Sequence, residues 1–244
     1  MQNYYNLNKR KWATNNLEYS ILSIDDDNFQ DYTFIVDKRE KRIINTIQEL
    51  IEKTDELYEK DQTEISSVVF DKHLYQPLIG ENRRFVTIPT GLNDGEVKFV
   101  KDLKHFFKER IDDASILGYE FYIFRNLSRK GLGIFTETNN FYPDFILWAV
   151  TEECQKIVFI DPKGLIHGIS EKMAKINLND TLWEMQDILG RDDIKLSSFI
   201  ISITPFNQLK RSYEFNKKEF EDMNVLFQED QDYIEKLIAK IIDL

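Results

Sequence analysis

Two aspartates and one lysine lie at the ends of two apolar segments, where their side chains can act together in chemistry. Asp144 lies in segment 141–150, and Asp161 and Lys163 lie at the end of the segment that begins at Lys156. Both segments have the composition of buried strands. Residues i and i+2 of a strand share a face, so we expect Asp161 and Lys163 to point the same way.

The connection between the two segments, Thr151–Gln155, has the length of a hairpin loop. In such a hairpin Asp144 approaches Asp161, and two converging carboxylates repel each other unless a cation lies between them. Mg²⁺ suits this position, because one or two carboxylates and the phosphate oxygens of a substrate typically hold it. The Lys163 ammonium can orient the attacking water or help to deprotonate it. These residues therefore predict metal-assisted hydrolysis of phosphodiesters.

An acid-x-Lys triplet is a weak signal, because the sequence contains four of them. Only the triplet at Asp161 follows an apolar strand, and the only Pro-Asp pair, Pro143-Asp144, lies seventeen residues before it. Pro162 removes a ladder donor, so we expect the strand to end or bulge there and to direct Asp161 and Lys163 into a cleft. The alternative is a solvated ion pair between Asp161 and Lys163, worth about 0–1 kcal/mol.

The elements that must position these residues follow from apolar periodicity and from the Gly and Pro punctuation. The region from Pro77 to Gly91 is predicted to be a loop, and Phe220–Leu244 to be one or two amphipathic helices. The other elements are strands at 32–36, 67–70, 119–126, 141–150, 156–161 and 198–203, and helices at 43–57, 93–111 and 171–189. This order predicts an α/β fold with a mixed central sheet flanked by helices.

Composition limits the class of protein. The 244 residues, with 42% hydrophobic and 31% charged residues, suit one catalytic domain with a smaller appendage. We predict an N-terminal α+β extension at 1–90 and a catalytic domain at 91–244. The single Cys154, the absence of a secretory signal pattern and the lack of a long apolar segment predict a cytoplasmic protein with no membrane partner.

The net charge of −11 disfavours binding to nucleic acid when it is taken alone. Acidic and basic residues balance within residues 119–175, however, and the acid excess lies elsewhere in the chain. A locally neutral groove that holds a divalent cation can still bind a polyanion.

These segments resemble the PD-(D/E)xK nuclease superfamily, which has a restriction-endonuclease-like fold. The similarity is greatest to the C-terminal nuclease region of helicase proteins related to the restriction subunits of type III systems, and it extends over roughly residues 65–205. The specific motifs are Tyr142-Pro143-Asp144-Phe145 and Asp161-Pro162-Lys163-Gly164. The supporting runs are at 70–78, 92–100 and 124–129.

The resemblance implies a Mg²⁺-dependent endodeoxyribonuclease, with Mn²⁺ as a substitute metal, in a restriction, phage-defence (antiviral) or DNA-repair system. It implies that Asp144, Asp161, the main-chain carbonyl of Pro162, and Glu96 hold the metal, and that Lys163 positions the water. For Glu96 an alternative stays open: Asn93 and Glu96 have the spacing of a capping box.

The implied partners are DNA, a helicase or another subunit of a defence system, and a second copy of the chain in a homodimer. The chain has no Gly-x-x-x-x-Gly-Lys-Ser/Thr loop, so any motor belongs to another polypeptide, lies outside this sequence or is absent.

Four basic or polar side chains are candidates for contact with nucleic acid. Arg125, Arg129 and Lys130 lie on the connection before the Pro-Asp segment and can reach backbone phosphates, and His167 follows the Asp-Pro-Lys-Gly run. The alternative for the three basic residues is an ordinary solvated loop. For His167 the alternative is a structural or incidental position, which is more common for a lone histidine in a loop.

A non-catalytic adaptor that keeps the nuclease fold is the second functional hypothesis. Such a protein binds nucleic acid or a helicase partner without cleaving a substrate. The acidic surface and the helical spacing of Ile234, Leu237, Ile238 and Ile241 favour a protein partner. The retention of two mutually repelling carboxylates beside a lysine favours the enzyme.

Overall fold

The computed structural model describes residues 32–52, 65–68, 78–110, 113–114, 116–126, 134–135, 140–166, 178–210 and 213–244. The described residues up to Glu109 form one compact unit, and those from Arg110 onward form another. The functional division that the sequence predicts, at 90/91, stays a prediction. In the described parts of the chain, no helix is both long and apolar enough to cross a membrane.

The first unit packs two helices with short strand pairs. Its elements are β1 (Thr33–Val36), α1 (Lys41–Glu52), β2 (Ser67–Val68), β3 (Leu78–Ile79), β4 (Phe85–Ile88) and α2 (Asp94–Glu109). Strand β1 pairs with β4 and β2 pairs with β3, both antiparallel. The apolar stripe of α1 is buried in a cluster with Ile65, Ile79 and Phe85. The described parts of the strand and helices predicted here are confirmed.

The loop predicted from Pro77 to Gly91 is wrong in part, because this region contains β3 and β4. Each of these strands is short and pairs with a segment distant in sequence. Local punctuation by Gly and Pro cannot reveal such partners, since a two-residue strand is defined by its ladder and not by its own composition.

The second unit contains a five-stranded mixed sheet. Its main strands are β5 (Glu120–Arg125), β8 (Phe145–Val150), β9 (Gln155–Lys163), β10 (Ile194–Ser202) and β11 (Val225–Phe227), and a separate pair is formed by β6 (Ile134–Phe135) and β7 (Asn140–Phe141). The sheet order is β11-β10-β9-β8-β5. Strand β8 is antiparallel to both neighbours, whereas β9, β10 and β11 are mutually parallel. The predicted α/β class with a mixed central sheet is confirmed.

Four helices accompany this sheet: α3 (Leu178–Leu189), α4 (Phe206–Leu209), α5 (Lys217–Asp222) and α6 (Tyr233–Ile242). Helices flank both faces of the sheet. Phe159 packs against the cluster that α3 forms with Phe141. Lys156, three residues earlier and so on the other face, donates from its ammonium to the carbonyl of Ile242 at the end of α6.

The largest differences from the predicted strand boundaries concern β8, β10 and β11. The strand predicted at 141–150 divides into β7 and β8, because Pro143 and Asp144 lie between them without ladder pairing. Strand β10 begins at Ile194, four residues earlier than predicted, because its polar residues pair with the whole length of β9. Strand β11 lies within the region 220–244, which was predicted to be helical. Val225–Phe227 is a strand because it pairs with the outer side of β10.

The apolar stripe of α6 is used inside the fold. Ile234, Leu237, Ile238 and Ile241 are all buried in the chain itself. The suggestion that this stripe favours a protein partner is therefore wrong, because burying it in a partner would require α6 to leave the sheet.

Asn179 completes the outer edge of β10 where β11 is too short to reach. Its Oδ1 accepts from the N–H of Ser198 at 2.8 Å, and its Nδ2 donates to the carbonyl of Ser198 at 3.2 Å. Strand β11 pairs with β10 only at residues 200–202. The Asn179 amide thus takes the place of a strand residue and ties α3 to the sheet.

We expect Asn179→Ala to lower the free energy of unfolding by about 1–3 kcal/mol, because it leaves the N–H and C=O of Ser198 without this partner in a largely buried setting. Urea unfolding followed by circular dichroism measures the change. Asn207→Ala, the same replacement at an exposed residue of α4, is the control and should stay within about 0.5 kcal/mol of the unsubstituted protein. Equal stability of the two variants would contradict the role of Asn179.

Candidate active site

The register of the β8–β9 hairpin, continued by one position beyond its last pair, brings Asp144 level with Asp161. The last ladder pair is Phe145 with Ile160, so the next position at that end joins these two aspartates. Directly opposed residues of an antiparallel pair project from the same face, with Cα atoms about 4.5–5.5 Å apart. The hairpin turn itself is fixed by the Thr151 hydroxyl, which accepts from the N–H of Cys154 at 3.0 Å. The predicted hairpin is confirmed.

Asp161 and Lys163 share a face of β9, as predicted, because they are separated by one residue of a regular strand. Asp161 is only 3% exposed, and its neighbour in β10 is Ile200. Lys163 is half-buried and lies beside Ser202. A carboxylate this deeply buried requires a cation or hydrogen-bond donors around it. The end of β9 therefore combines a desolvated acid with a basic residue on one surface.

Strand β9 neither ends nor bulges at Pro162, so that prediction is wrong. Pairing with β10 runs without a skipped residue through Lys163. The carbonyl of Lys163 accepts from the N–H of Ile203 at 3.1 Å, so it faces β10. Main-chain groups of successive strand residues face opposite edges, and Pro162 therefore faces the β8 side, beyond the last β8–β9 pair. No ladder donor is needed there, which explains why proline is tolerated.

The same geometry directs the Pro162 carbonyl to the edge from which Asp144 approaches. This main-chain oxygen and the Asp144 and Asp161 carboxylates all belong to one end of the hairpin. Each is a hard oxygen donor of the kind that Mg²⁺ and Mn²⁺ accept. The donor set fits such an ion in its chemistry.

Within the described residues, no group of three or more His, Cys, Asp or Glu side chains could hold a metal ion by itself. A pair of carboxylates is the usual protein contribution to a Mg²⁺ site that also uses water and phosphate oxygens.

Asn126, which the sequence analysis did not single out, contacts the main chain of the Pro143-Asp144 segment. Its N–H donates to the carbonyl of Asp144 at 2.8 Å, and its Nδ2 donates to the carbonyl of Pro143 at 2.9 Å. Asn126 is 4% exposed and directly follows β5. Its place opposite Asp144 continues the β5–β8 register, in which Arg125 pairs with Phe145. No sequence signal reveals that register in advance.

The segment after Lys163 is held by two side chains from the following part of the chain. The N–H of Leu165 donates to Thr204 Oγ1 at 3.0 Å, and the Tyr213 hydroxyl donates to the carbonyl of Leu165 at 3.2 Å. Burial raises the pKa of the Tyr213 phenol, so the hydroxyl keeps the proton that it donates. Both main-chain groups of a fully buried residue are thereby satisfied, two positions beyond Lys163.

Glu96 forms the capping box that the sequence allowed. Its N–H donates to Asn93 Oδ1 at 3.0 Å, and its carboxylate accepts from the N–H of Asn93 at 3.2 Å and from Asn93 Nδ2 at 2.6 Å. Glu96 lies in the first compact unit, whereas Asp144, Asp161 and Lys163 lie in the second. Its role in metal binding stays a prediction, and its role as a helix cap is confirmed.

The candidate residues for nucleic-acid contact are only partly described. Arg125 ends β5 and is half-buried. Because it precedes Asn126, alternation along the strand directs its side chain to the face opposite that of Asp144. Arg129, Lys130 and His167 lie outside the described residues. Contact of these four residues with nucleic acid stays a prediction.

No family model matches the chain, and no curated protein matches it. Among solved structures, the chain is similar to the crystal structure of protein VC1899 from Vibrio cholerae. The identity is 12% and the TM-score is 0.30, with 86% of this chain and 47% of that chain covered. The chain thus spans about half the length of that protein, and a similarity of this size carries no conclusion about fold or function.

Proposed function

We propose that this protein is a metal-dependent nuclease that hydrolyses phosphodiester bonds in DNA. One observation supports the proposal: continued by one position beyond the Phe145–Ile160 pair, the β8–β9 register brings Asp144 level with Asp161, and Lys163 shares the face of Asp161 on β9. Two carboxylates and an ammonium at one strand end are the groups that metal-assisted phosphodiester hydrolysis requires.

In this proposal Asp144, Asp161 and the Pro162 carbonyl hold Mg²⁺, or Mn²⁺ in its place. A cation held by these groups would supply Lewis-acid stabilisation of the negative charge on the phosphate. Burial of Asp161 keeps competing water away from its carboxylate, which strengthens electrostatic interactions at this position.

Lys163 hydrogen-bonds the attacking water and orients it in line with the leaving oxygen. The water oxygen forms the new bond to phosphorus and loses a proton to solvent, while the bond from phosphorus to the 3′-oxygen breaks and that oxygen takes up a proton from solvent. The products are a 3′-hydroxyl and a 5′-phosphate. The Lys163 ammonium offsets negative charge that develops on the phosphate during this displacement.

We also propose that the sheet with α3 is a restriction-endonuclease-like core. Its support is the order of a strand, a Pro-Asp strand, an Asp-x-Lys strand, a helix and a further strand, which is the order in β5, β8, β9, α3 and β10. The proposed setting is a restriction, phage-defence or DNA-repair system, with a helicase subunit or a second copy of the chain as partner.

The adaptor hypothesis has lost one of its two supports. The C-terminal apolar stripe is buried in the chain itself, so it offers no docking face. The acidic net charge remains, but it describes the whole surface and not the end of β9. The enzyme is therefore the function that we propose, and the adaptor is an outcome of its test.

We expect Asp161→Asn to reduce cleavage of supercoiled plasmid DNA in the presence of Mg²⁺ by roughly 10²–10³-fold, because loss of a metal ligand removes several kcal/mol of transition-state stabilisation. The matched control is Asp193→Asn, the same replacement in another acid-x-Lys triplet. Asp193 is exposed, and hydrogen bonds from Arg191 lower the pKa of its carboxyl, so it belongs to a surface ion pair. Its loss should leave the cleavage rate within about twofold.

Full cleavage activity of the Asp161→Asn variant would contradict the proposed active site. Mn²⁺ binding measured by electron paramagnetic resonance separates the alternatives further. An adaptor gives no cleavage, and its Mn²⁺ binding does not depend on Asp144, whereas a nuclease loses Mn²⁺ binding in Asp144→Asn.

Two substitutions of Glu96 distinguish its role as the helix cap of α2 from a role in metal binding. Glu96→Gln keeps a capping-box residue and should leave the free energy of unfolding within about 0.5 kcal/mol, whereas Glu96→Ala should lower it by about 0.5–2 kcal/mol. Urea unfolding measures both. The Mg²⁺ concentration that gives half-maximal cleavage then decides the metal role, because an unchanged value in the folded Glu96→Gln variant would limit Glu96 to capping α2.

A further inference from the structure

We infer that Asn126 is a positioning residue for Asp144: it fixes the direction in which the Asp144 carboxylate leaves the main chain. The inference rests on the proposed function of the site. Asn126 lies outside the set of acids and bases that would bind metal or water, and the two hydrogen bonds described above join it to main-chain oxygens.

The two hydrogen bonds of Asn126 act on the two peptide groups that flank the Asp144 Cα. The Pro143 carbonyl belongs to the peptide group before this Cα and accepts from Nδ2 at 2.9 Å. The Asp144 carbonyl belongs to the peptide group after it and accepts from the Asn126 N–H at 2.8 Å. Each peptide group is planar, so holding both of them fixes φ and ψ of Asp144 and with them the direction of its Cα–Cβ bond.

Asp144 needs this support because it lies just outside the ladder. Strand β8 begins at Phe145, and β7 ends at Phe141. Pro143 has no N–H to donate, and it is buried. Asn126 therefore supplies hydrogen bonds of the kind that a neighbouring strand would supply. It does so at the position where the proposed metal-binding carboxylate of Asp144 must be held.

An asparagine suits this position because it supplies a side-chain donor as well as a main-chain donor. An aspartate of the same shape would turn an acceptor towards the Pro143 carbonyl. An alanine would keep only the main-chain bond. In either case the Pro143 carbonyl, which is held in a buried setting at 2.9 Å from Nδ2, would lose that donor.

Thr151 provides a matched control at the opposite end of the same strand. Its hydroxyl oxygen accepts from the N–H of Cys154 at 3.0 Å and from that of Glu153 at 3.3 Å. It thus fixes the main chain just after β8, as Asn126 does just before β8. Thr151→Ala removes a comparable set of contacts without touching the proposed site.

The experiment measures Mn²⁺ binding, by electron paramagnetic resonance of free Mn²⁺, and plasmid cleavage at varied Mn²⁺ in Asn126→Ala, Asn126→Asp and Thr151→Ala. Circular dichroism melting reports the stability of each variant. We expect the Mn²⁺ dissociation constant to rise by about 10–100-fold in both Asn126 variants, as for other residues that orient metal ligands. It should stay within twofold in Thr151→Ala at a similar loss of melting temperature.

The Asn126→Asp variant sharpens the test, because its added negative charge by itself attracts Mn²⁺. Weaker binding in this variant therefore reports lost positioning and not lost charge. A dissociation constant within twofold of the unsubstituted protein in either folded Asn126 variant would overturn the inference, and so would an equal rise in Thr151→Ala. Failure of both Asn126 variants to fold would also overturn it, since Asn126 would then support the whole fold.

The same measurements distinguish a wrong nuclease proposal from a wrong role of Asn126. If the unsubstituted protein neither binds Mn²⁺ nor cleaves DNA, then the proposed nuclease is wrong and Asn126 has no metal ligand to position. If it does both and the Asn126 variants match it, only the role of Asn126 is wrong.

Discussion

The antiparallel register of β8 and β9 is the constraint on which the candidate site depends. A shift of one residue would move Asp161 to the opposite face of the sheet from Asp144, because side chains alternate along a strand. The register is set by the continuous ladder between the two strands and by their apolar residues, which must remain buried between helices. The position of Asp144 opposite Asp161 therefore follows from packing of the whole sheet.

Burial on both faces makes this register hard to change. Phe159 packs towards α3, whereas Lys156 reaches the end of α6 on the other face. Slippage of β9 would expose apolar side chains and bury polar ones at the same time, and each such exchange costs free energy. The helices thus contribute to the site although none of their own residues is among the proposed metal ligands of this unit.

The main chain around the candidate site is held largely by neutral polar side chains. Asn126 contacts the segment before β8, and Thr204 and Tyr213 contact the segment after β9. Neutral donors and acceptors can fix a backbone without adding charge near the two carboxylates. This arrangement separates the residues proposed to do the chemistry from those that determine where the chemistry takes place.

The local properties of the chain can be predicted from its amino-acid order. Apolar runs and Gly or Pro punctuation predicted the α/β class, the hairpin and the shared face of Asp161 and Lys163, because these depend on periodicity. Features that depend on distant partners become visible only in the folded chain. The pairing of Asn126 with Asp144, the passage of β9 through Pro162 and strand β11 are set by which strands lie side by side, and burial of the α6 stripe is set by its packing inside the fold. Such contacts join residues far apart in the chain, so no local pattern encodes them.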